Sequence, residues 1–221
     1  ITLGDDKMEL IKIIKDFSPS IISMEEFPEL FMDSNVANIL YSKDRSYKIF
    51  ETSHESSFVS SSKTLFPDKF IYVSVFSALR NLNFDVPFEI IEYPVDVKEK
   101  RTEEFRKKLN LDPAYKHVVN IGLFTPRKNQ KYVFELAEKL SDHKIKFHFL
   151  GNQADNFKSY WEPLMNLKRD YPDKYRNCIV WGERGDTDEF LQASDMFLFT
   201  SKGDRGNKEL NPIVIKEALQ Y

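Results

Sequence analysis

Residues 116–140 read KHVVNIGLFTPRKNQKYVFELAEKL, and this stretch decides the fold of the chain. Its first part, 116–124, is apolar and β-branched, which predicts a buried strand. A loop that reads TPRKN follows, and the spacing of the apolar residues over 130–140 predicts an amphipathic helix. A strand, a loop and a helix in this order form one βα unit, so the stretch predicts a parallel sheet with helices packed on it.

The same unit recurs after residue 140. The four strands predicted from residue 116 onward alternate with helices, which is the pattern of a doubly wound parallel sheet. The further strands are predicted at 145–150, 178–181 and 196–200, and the further helices at 155–175, 188–193 and 212–221.

The first part of the chain shows the same α/β pattern less regularly. The polar stretch 97–104 follows it and is a natural domain boundary. The sequence therefore predicts two α/β domains, 1–97 and 98–221. In the first, strands are predicted at 20–24, 46–50, 70–74 and 88–93, and helices at 7–17 and 76–82.

The composition excludes several functional classes. Hydrophobic residues make up 41% of the 221 residues, which is too many for a disordered chain. The 35 acidic residues nearly balance the 32 Lys and Arg residues, so no strong positive field would attract nucleic acid. The single cysteine, Cys178, starts an apolar run and is interpreted as a buried structural thiol.

The location and completeness of the chain follow from its ends and its hydropathy. No apolar stretch approaches the roughly 20 residues that cross a bilayer, and no secretory signal opens the chain, so we expect a cytoplasmic protein. Ile1 is not an initiator methionine, and Tyr221 lies inside a helical pattern. We therefore expect both ends to be cuts through a longer protein.

The best candidate site follows the last predicted strand. Ligands of doubly wound sheets bind beyond the carboxyl ends of the strands. There Glu209 precedes Asn211, which can cap a helix, and Pro212, which suits a first helical turn. The start of such a helix is a ready site for a phosphate or diphosphate. Glu209 would project into the crevice, and Glu217 would come within range of a ribose. The alternative is that Glu217 is a solvated residue paired with Lys216 or another neighbour.

A second candidate is the loop after residue 124. Arg127 and Lys128 place two cations between the first strand of this half and its helix, where they could neutralise a diphosphate leaving group. The alternative is a pair of solvated loop cations. Because this loop and Glu209 both follow the carboxyl ends of strands, we expect them to open on one crevice.

The histidines and an acidic triplet complete the candidate residues. His54 follows a predicted strand and could contact a transferred sugar or the acceptor, although a lone histidine is more often a packed or capping residue. The other three, His117, His143 and His148, are interpreted as packed or capping residues, and no pair has the spacing of metal ligands. The triplet 186–188, Asp-Thr-Asp, matches a string that can hold a divalent metal, but its place before a helix favours a helix cap. We predict no metal site. The absence of a Gly-x-Gly-x-x-Gly loop and of a Walker loop argues against dinucleotide redox enzymes and ATPases.

Taken in order, these motifs resemble the GT-B glycosyltransferases of the large retaining clan known as glycosyl transferases group 1. The resemblance implies a GT-B fold of two Rossmann-like parallel-sheet domains, here truncated at both ends. Residues 1–97 would be part of the acceptor-side domain and 98–221 part of the nucleotide-sugar donor domain. The motifs are Gly122 with the basic loop at 127–128, Phe149-Leu150-Gly151, Trp181-Gly182, the segment 190–195, and Glu209 with Glu217 in a Glu-x7-Glu pattern.

The resemblance also implies an activity and a role for each site residue. The activity is metal-independent transfer of a sugar, with retention, from a UDP- or GDP-sugar to a hydroxyl acceptor on a glycan or lipid. The donor would be a substrate, with no further cofactor, and peripheral association with the inner face of a membrane is compatible with such acceptors. Glu209, His54 and Lys128 would be the catalytic residues, with Glu209 and His54 near the transferred sugar. Donor binding would fall to Arg127 and Lys128 at the phosphates, Glu217 at the ribose, and the backbone of Asn211, Pro212 and Ile213 at the diphosphate.

Three departures from the family pattern keep alternatives open. Leu123 stands where the basic loop usually has an arginine, residues 210–212 replace a glycine-rich stretch, and the turn between the domains is reduced to residues 94–96. A GT-B sugar-nucleotide epimerase would share the fold, but the acid and base groups that it needs are not identified. The replaced arginine favours the other alternative, a non-catalytic nucleotide-sugar-binding subunit.

Overall fold

The computed structural model describes residues 8–26, 29, 32–57, 59–81, 85–203 and 208–221. It divides into two compact units, Ile1–Tyr93 and Pro94–Tyr221. The predicted α/β class is confirmed, since each unit has a parallel sheet of four strands. None of the helices in the described part of the chain is long and apolar enough to cross a membrane.

Unit 1 contains a sheet whose strands lie in sequence order, β1-β2-β3-β4. Side chains alternate along β2, where Ile49 and Glu51 are buried and Lys48 is exposed, as expected for a strand with one face on the core. The predicted helix ends at residues 7 and 82 lie outside the described residues. The strands are β1 Ile21–Glu25, β2 Lys48–Ser53, β3 Lys69–Tyr72 and β4 Phe88–Ile90, and the helices are α1 Glu9–Phe17, α2 Ser34–Leu40 and α3 Val75–Arg80.

Helix α2 was not predicted from the sequence. It begins with a cap, because the Asp33 carboxylate accepts a hydrogen bond from the Asn35 backbone N–H at 2.8 Å. It buries Val36, Ala37 and Leu40 against the core of unit 1. Seven residues are too few for a clear helical period, but Asp33 before this apolar set was a usable signal.

Unit 2 contains a sheet in the order β7-β6-β5-β8, so that the chain reverses direction across the sheet at β5. This is the doubly wound arrangement that the repeated βα pattern predicts. The strands are β5 Lys116–Ile121, β6 Ile145–Leu150, β7 Cys178–Gly182 and β8 Met196–Phe197, and the helices are α4 Thr102–Lys108, α5 Gln130–Lys139, α6 Lys158–Asp170, α7 Thr187–Ala193 and α8 Ile213–Ala218.

Several element ends differ from the prediction for local reasons. Strand β5 ends at Ile121 and not at 124, because Gly122 adopts a φ of +145° and turns the chain. Strand β8 is short because the Asn120 side-chain amide donates to the Leu198 carbonyl at 2.8 Å, in place of a backbone partner. Helix α4 occupies part of the polar stretch that was predicted to be a boundary.

The two faces of the unit 2 sheet pack against different helices. One core contains Phe147 and Phe149 of β6 with Phe134 of α5 and Leu164 of α6. The other contains residues that point to the opposite face, among them Leu150 with residues of α4 and α7. Cys178 is 2% exposed, and burial raises the pKa of its thiol to about 12. The prediction of a structural thiol is therefore confirmed.

Two of the histidines form a buried chain of hydrogen bonds across three strands. Trp181 Nε1 donates to His148 Nδ1 at 3.0 Å, His148 Nε2 lies 2.8 Å from His117 Nδ1, and His117 Nε2 lies 2.9 Å from the Asp112 carbonyl. Because indole can only donate and a carbonyl can only accept, both rings are neutral with the proton on Nε2. Both are packed, as predicted, whereas His143 is exposed.

Candidate functional site

The basic loop and Glu209 meet at the carboxyl end of β5. Arg127 Nη1 lies 2.5 Å from Glu209 Oε1, and Lys128 Nζ lies 2.7 Å from the same oxygen. The three side chains are between 20% and 38% exposed, so they are neither buried nor freely solvated. The sequence predicted that the basic loop and Glu209 would open on one crevice. Lys128 and Glu209 are 81 residues apart in the chain, and the structure brings them into contact.

The backbone of the basic loop is fixed from both sides. Lys128 N–H donates to Thr125 Oγ1 at 3.2 Å, and the carbonyl of Lys128 accepts from the Thr200 hydroxyl at 2.8 Å. The carbonyl of Arg127 accepts from the backbone N–H of Lys202, also at 2.8 Å. The loop after β8 therefore supports the loop after β5.

Two glycines allow the loops after β5 and β6 to touch. A Cβ on Gly151, whose φ is +140°, would lie 2.1 Å from the Gly122 carbonyl oxygen. A Cβ on Gly122 would lie 3.4 Å from Cδ of Lys128, so the lysine stem passes over this glycine. The two backbones pack directly on each other, and only glycine fits at position 151 without movement.

A cavity of about 190 Å³ lies beside these glycines. Arg184 lines this cavity, and its guanidinium donates two hydrogen bonds, of 2.9 and 2.6 Å, to the Asp186 carboxylate. Its guanidinium also lies 5.5 Å from the ring centroid of Trp181. The sequence did not single out Arg184, although its position just after Gly182 at the end of a strand was a signal. The cavity is lined by Ile121, Gly122, Leu123, Leu150, Gly151, Asn152, Glu183, Arg184 and Thr187.

A larger hollow of about 490 Å³ is a weaker candidate for a phosphate ligand. The hollow is lined by Lys116 and Asp195, which lie at the amino ends of β5 and β8. It therefore lies at the edge of the sheet opposite to the basic loop. Its other walls are apolar, among them Leu136, Phe147 and Met196. It offers little to hold a diphosphate.

The helix after Glu209 begins one residue later than predicted. Pro212 occupies the N-cap position, with a ψ of +106° that is not helical, and α8 starts at Ile213. The prediction that Asn211 caps this helix is therefore wrong. Glu217 lies in α8 and is partly buried, eight residues after Glu209.

His54 lies in unit 1, directly after β2. Its Nε2 lies 2.6 Å from Oε2 of Glu25, the last residue of β1, and its Nδ1 contacts the Tyr93 hydroxyl. The side chain is 32% exposed, so it is not the fully packed histidine of the alternative interpretation.

The acidic triplet at 186–188 is tied to cations. Asp186 occupies the N-cap position of α7, as predicted, but its carboxylate binds Arg184 and makes no capping hydrogen bond. Arg184 lowers the pKa of Asp186. Asp188 pairs with Lys98 at 3.1 Å. Over the residues for which coordinates are described, no three His, Cys, Asp or Glu side chains come together in a group that could hold a metal ion.

Comparison with known proteins agrees with this architecture. The family model described as Glycosyl transferases group 1 matches residues 101–221, more than half of the chain. Comparison with curated protein sequences found no match.

Solved structures with a similar fold include three glycosyltransferase-type proteins. HepE from Anabaena, in complex with UDP and glucose, has a TM-score of 0.70 at 14% identity, covering 97% of this chain and 62% of that one. Sucrose-phosphate synthase from Thermosynechococcus elongatus has a TM-score of 0.70 at 13% identity, covering 99% and 60%. A point mutant of TarM from S. aureus, in complex with fondaparinux, α-GlcNAc-glycerol and UDP, has a TM-score of 0.60 at 18% identity, covering 82% and 37%. The chain thus spans less than two thirds of the length of these structures.

Proposed function

Since the chain belongs to the group 1 glycosyltransferases, we propose that it carries the donor site of an enzyme that transfers a sugar from a nucleoside diphosphate sugar to a hydroxyl acceptor. The transfer proceeds with retention of configuration and needs no metal ion. The contact of Arg127 and Lys128 with Glu209 carries this proposal.

Two cations that share one carboxylate leave an excess of positive charge. A diphosphate can replace the single carboxylate of Glu209 as their partner, because its oxygens match both the guanidinium and the ammonium group. The displaced carboxylate then offers acceptor oxygens to the hydroxyl groups of the sugar next to that diphosphate. Glu209 thus pairs with the two cations when no donor is bound and binds the sugar when the donor is bound.

The same cations support the metal-free reaction. As the bond between sugar and diphosphate breaks, negative charge develops on the leaving diphosphate oxygen. Fixed positive groups beside that oxygen lower the energy of the transition state, and they do so most effectively when their supports do not rearrange. The hydrogen bonds from Thr200 and Lys202 to the loop backbone provide such supports.

The nucleoside would lie in the cavity beside Gly122 and Gly151, which adjoins the stem of Lys128. A UDP-sugar is the first donor to test, since HepE, whose fold is similar, is described in complex with UDP and glucose. Glu217 would bind the ribose, and the backbone of Asn211, Pro212 and Ile213 would face the diphosphate. The acceptor would be a glycan or a lipid-linked hydroxyl, in the cytoplasm or at the inner face of a membrane.

Product analysis tests the proposal. The protein is incubated with UDP-, GDP- or ADP-sugars and a set of glycan and lipid acceptors, and the products are identified by NMR. Transfer that keeps the anomeric configuration of the donor is the expected result. An isomerised donor would indicate an epimerase, binding without turnover would indicate a non-catalytic subunit, and either result would overturn the proposal. An inverted product would overturn the retaining mechanism alone.

A further inference from the structure

His54 has a hydrogen-bond partner on each ring nitrogen. Nε2 lies 2.6 Å from Glu25 Oε2, and Nδ1 contacts the Tyr93 hydroxyl. The imidazole and phenol planes are nearly parallel, 11° apart, with ring centroids 5.5 Å apart. The three residues come from the end of β1, the loop after β2 and the segment after β4, and all belong to unit 1.

The partners decide which nitrogen carries the proton. A carboxylate can only accept, so the nitrogen that faces Glu25 must be Nε2–H. In the neutral imidazole Nδ1 is then the bare nitrogen and accepts from the Tyr93 O–H. Burial, followed by the charges of Glu26 and Glu25, raises the pKa of Tyr93 above its ordinary value, which keeps this hydroxyl protonated and able to donate.

The backbone around His54 is held in place as well. Glu26 has a left-handed φ of 61°, and its N–H donates to the Thr52 carbonyl at 2.9 Å, which joins the chain after β1 to the end of β2. Burial raises the pKa of Glu26, although the backbone N–H groups of His54 and Glu55 lie against its carboxylate. The ring and the loop that carries it are thus both constrained.

The two partners differ in how easily a ligand could replace them. The Glu25 side chain is 59% exposed and holds the ring at one edge. Tyr93 is partly buried, and its ring lies nearly parallel to the imidazole in addition to the hydrogen bond. A sugar hydroxyl can take the place of the Glu25 carboxylate at Nε2–H, while Tyr93 remains at Nδ1.

We propose that Glu25 and Tyr93 are positioning residues that hold the neutral His54 in the Nε2–H tautomer, and that a sugar hydroxyl then replaces the Glu25 carboxylate as the acceptor of this N–H group. The tautomer of the neutral ring follows from the contacts within unit 1 alone. The use of that donor for a sugar rests on the proposed function.

The tautomer can be measured directly without a ligand. In ¹⁵N-histidine-labelled protein at pH 8, two-bond ¹H–¹⁵N correlations separate the protonated nitrogen from the bare one. The chain has four histidines, and His54→Gln assigns the signal. We expect Nε2–H in the wild type and a downfield shift of the Nδ1 resonance in Tyr93→Phe. Tyr47→Phe is the matched control, because it removes a different hydroxyl of unit 1, bonded to the Leu40 carbonyl, and should leave the His54 resonances unchanged.

Glu25 is tested by two substitutions. Glu25→Gln keeps an acceptor oxygen and should preserve the Nε2–H tautomer, whereas Glu25→Ala should give a mixture of tautomers. The proposal is overturned by an Nδ1–H or averaged tautomer in the wild type, or by a Tyr93→Phe spectrum that matches that of Tyr47→Phe.

Kinetics with UDP-glucose and an accepted acceptor test the use of the donor group. We expect Tyr93→Phe to lower kcat about tenfold with little change in KM for UDP-glucose, because the lost hydrogen bond orients His54 and does not bind the nucleotide. Equal kcat values for Tyr93→Phe and Tyr47→Phe would overturn the catalytic part of the proposal. If the wild type transfers no sugar from any donor, the proposed function fails, and the NMR result still decides the tautomer.

Discussion

Glu209 Oε1 accepts the Lys128 ammonium at 2.7 Å and, with the same atom, the Arg127 guanidinium at 2.5 Å. One carboxylate oxygen of Glu209, which follows β8, therefore neutralises part of the charge of two cations that follow β5. In the proposed reaction a diphosphate takes over this position, so the strength of the contact sets how readily the donor site opens to its ligand.

Lys128→Ala should weaken the binding of UDP. Loss of one charge-assisted hydrogen bond to a phosphate costs about 1.5–3 kcal/mol, so the dissociation constant should rise by roughly tenfold to a hundredfold. Isothermal titration calorimetry measures this. Lys131→Ala is the matched control, since Lys131 is exposed on α5 and pairs weakly with Glu135 at 3.9 Å. Equal affinities for the two variants would remove Lys128 from the phosphate site.

Glu209→Gln should change binding and transfer in opposite directions. Without the carboxylate, the two cations are free for UDP, and its affinity should increase by up to about fivefold, the scale of a partly exposed ion pair. Sugar transfer should fall by at least about tenfold, because the charged acceptor for the sugar hydroxyls is gone. Glu162→Gln, in an exposed pair on α6, provides the control. A large drop in thermal stability of Glu209→Gln would instead identify Glu209 as a structural residue.

Gly151→Ala should destabilise unit 2. The added Cβ would lie 2.1 Å from the Gly122 carbonyl oxygen, and alanine is strained at a φ of +140°. Together these effects predict a loss of about 2–5 kcal/mol in the free energy of unfolding, measured by urea denaturation. Gly185→Ala has no described atom within 4 Å of its added Cβ and should change stability by less than about 0.5 kcal/mol. A Gly151→Ala protein as stable as Gly185→Ala would show that the two loops separate easily.

Stability should depend on pH through His148. Burial, followed by electrostatic interactions with His117 and Lys146, lowers the pKa of His148 from 6.5 to about 4. The unfolded chain therefore binds a proton that the folded chain does not, and stability is fully present above pH 6.5 and is lost as pH falls toward 4. The difference corresponds to about 3 kcal/mol.

NMR titration of the His148 ring checks this directly. The His148 resonances should stay constant from pH 8 to pH 5. A His148 midpoint near 6.5 would mean that the buried hydrogen-bond chain does not resist protonation.

The layout of unit 2 could be predicted because its strands carry continuous apolar runs and its loops follow them at regular intervals. The meeting of Lys128 with Glu209 could also be predicted, since the carboxyl ends of parallel strands share one edge of the sheet. The ends of the strands were harder to predict. The end of β5 depends on the φ of Gly122, and the shortness of β8 depends on a side-chain bond from Asn120 to Leu198.

The hydrogen-bond partners of individual polar side chains could not be predicted from the sequence pattern. Glu25 and Tyr93 lie 29 and 39 residues from His54, and no periodicity connects them. The Asp186 carboxylate could have capped α7, and only the turn after Gly182 brings Arg184 close enough to bind it instead. Such choices between competing partners depend on a geometry that appears only after folding.

The Thr200 hydroxyl anchors the carbonyl of Lys128 across 72 residues of chain, and the Lys202 N–H anchors that of Arg127. The backbone beneath both cations is therefore ordered before any anion arrives. Capture of a diphosphate loses little conformational entropy in this loop, and the ligand meets a preassembled pair of charges. We expect association to be governed by diffusion and by the exchange of one carboxylate, with no slow closure of the basic loop.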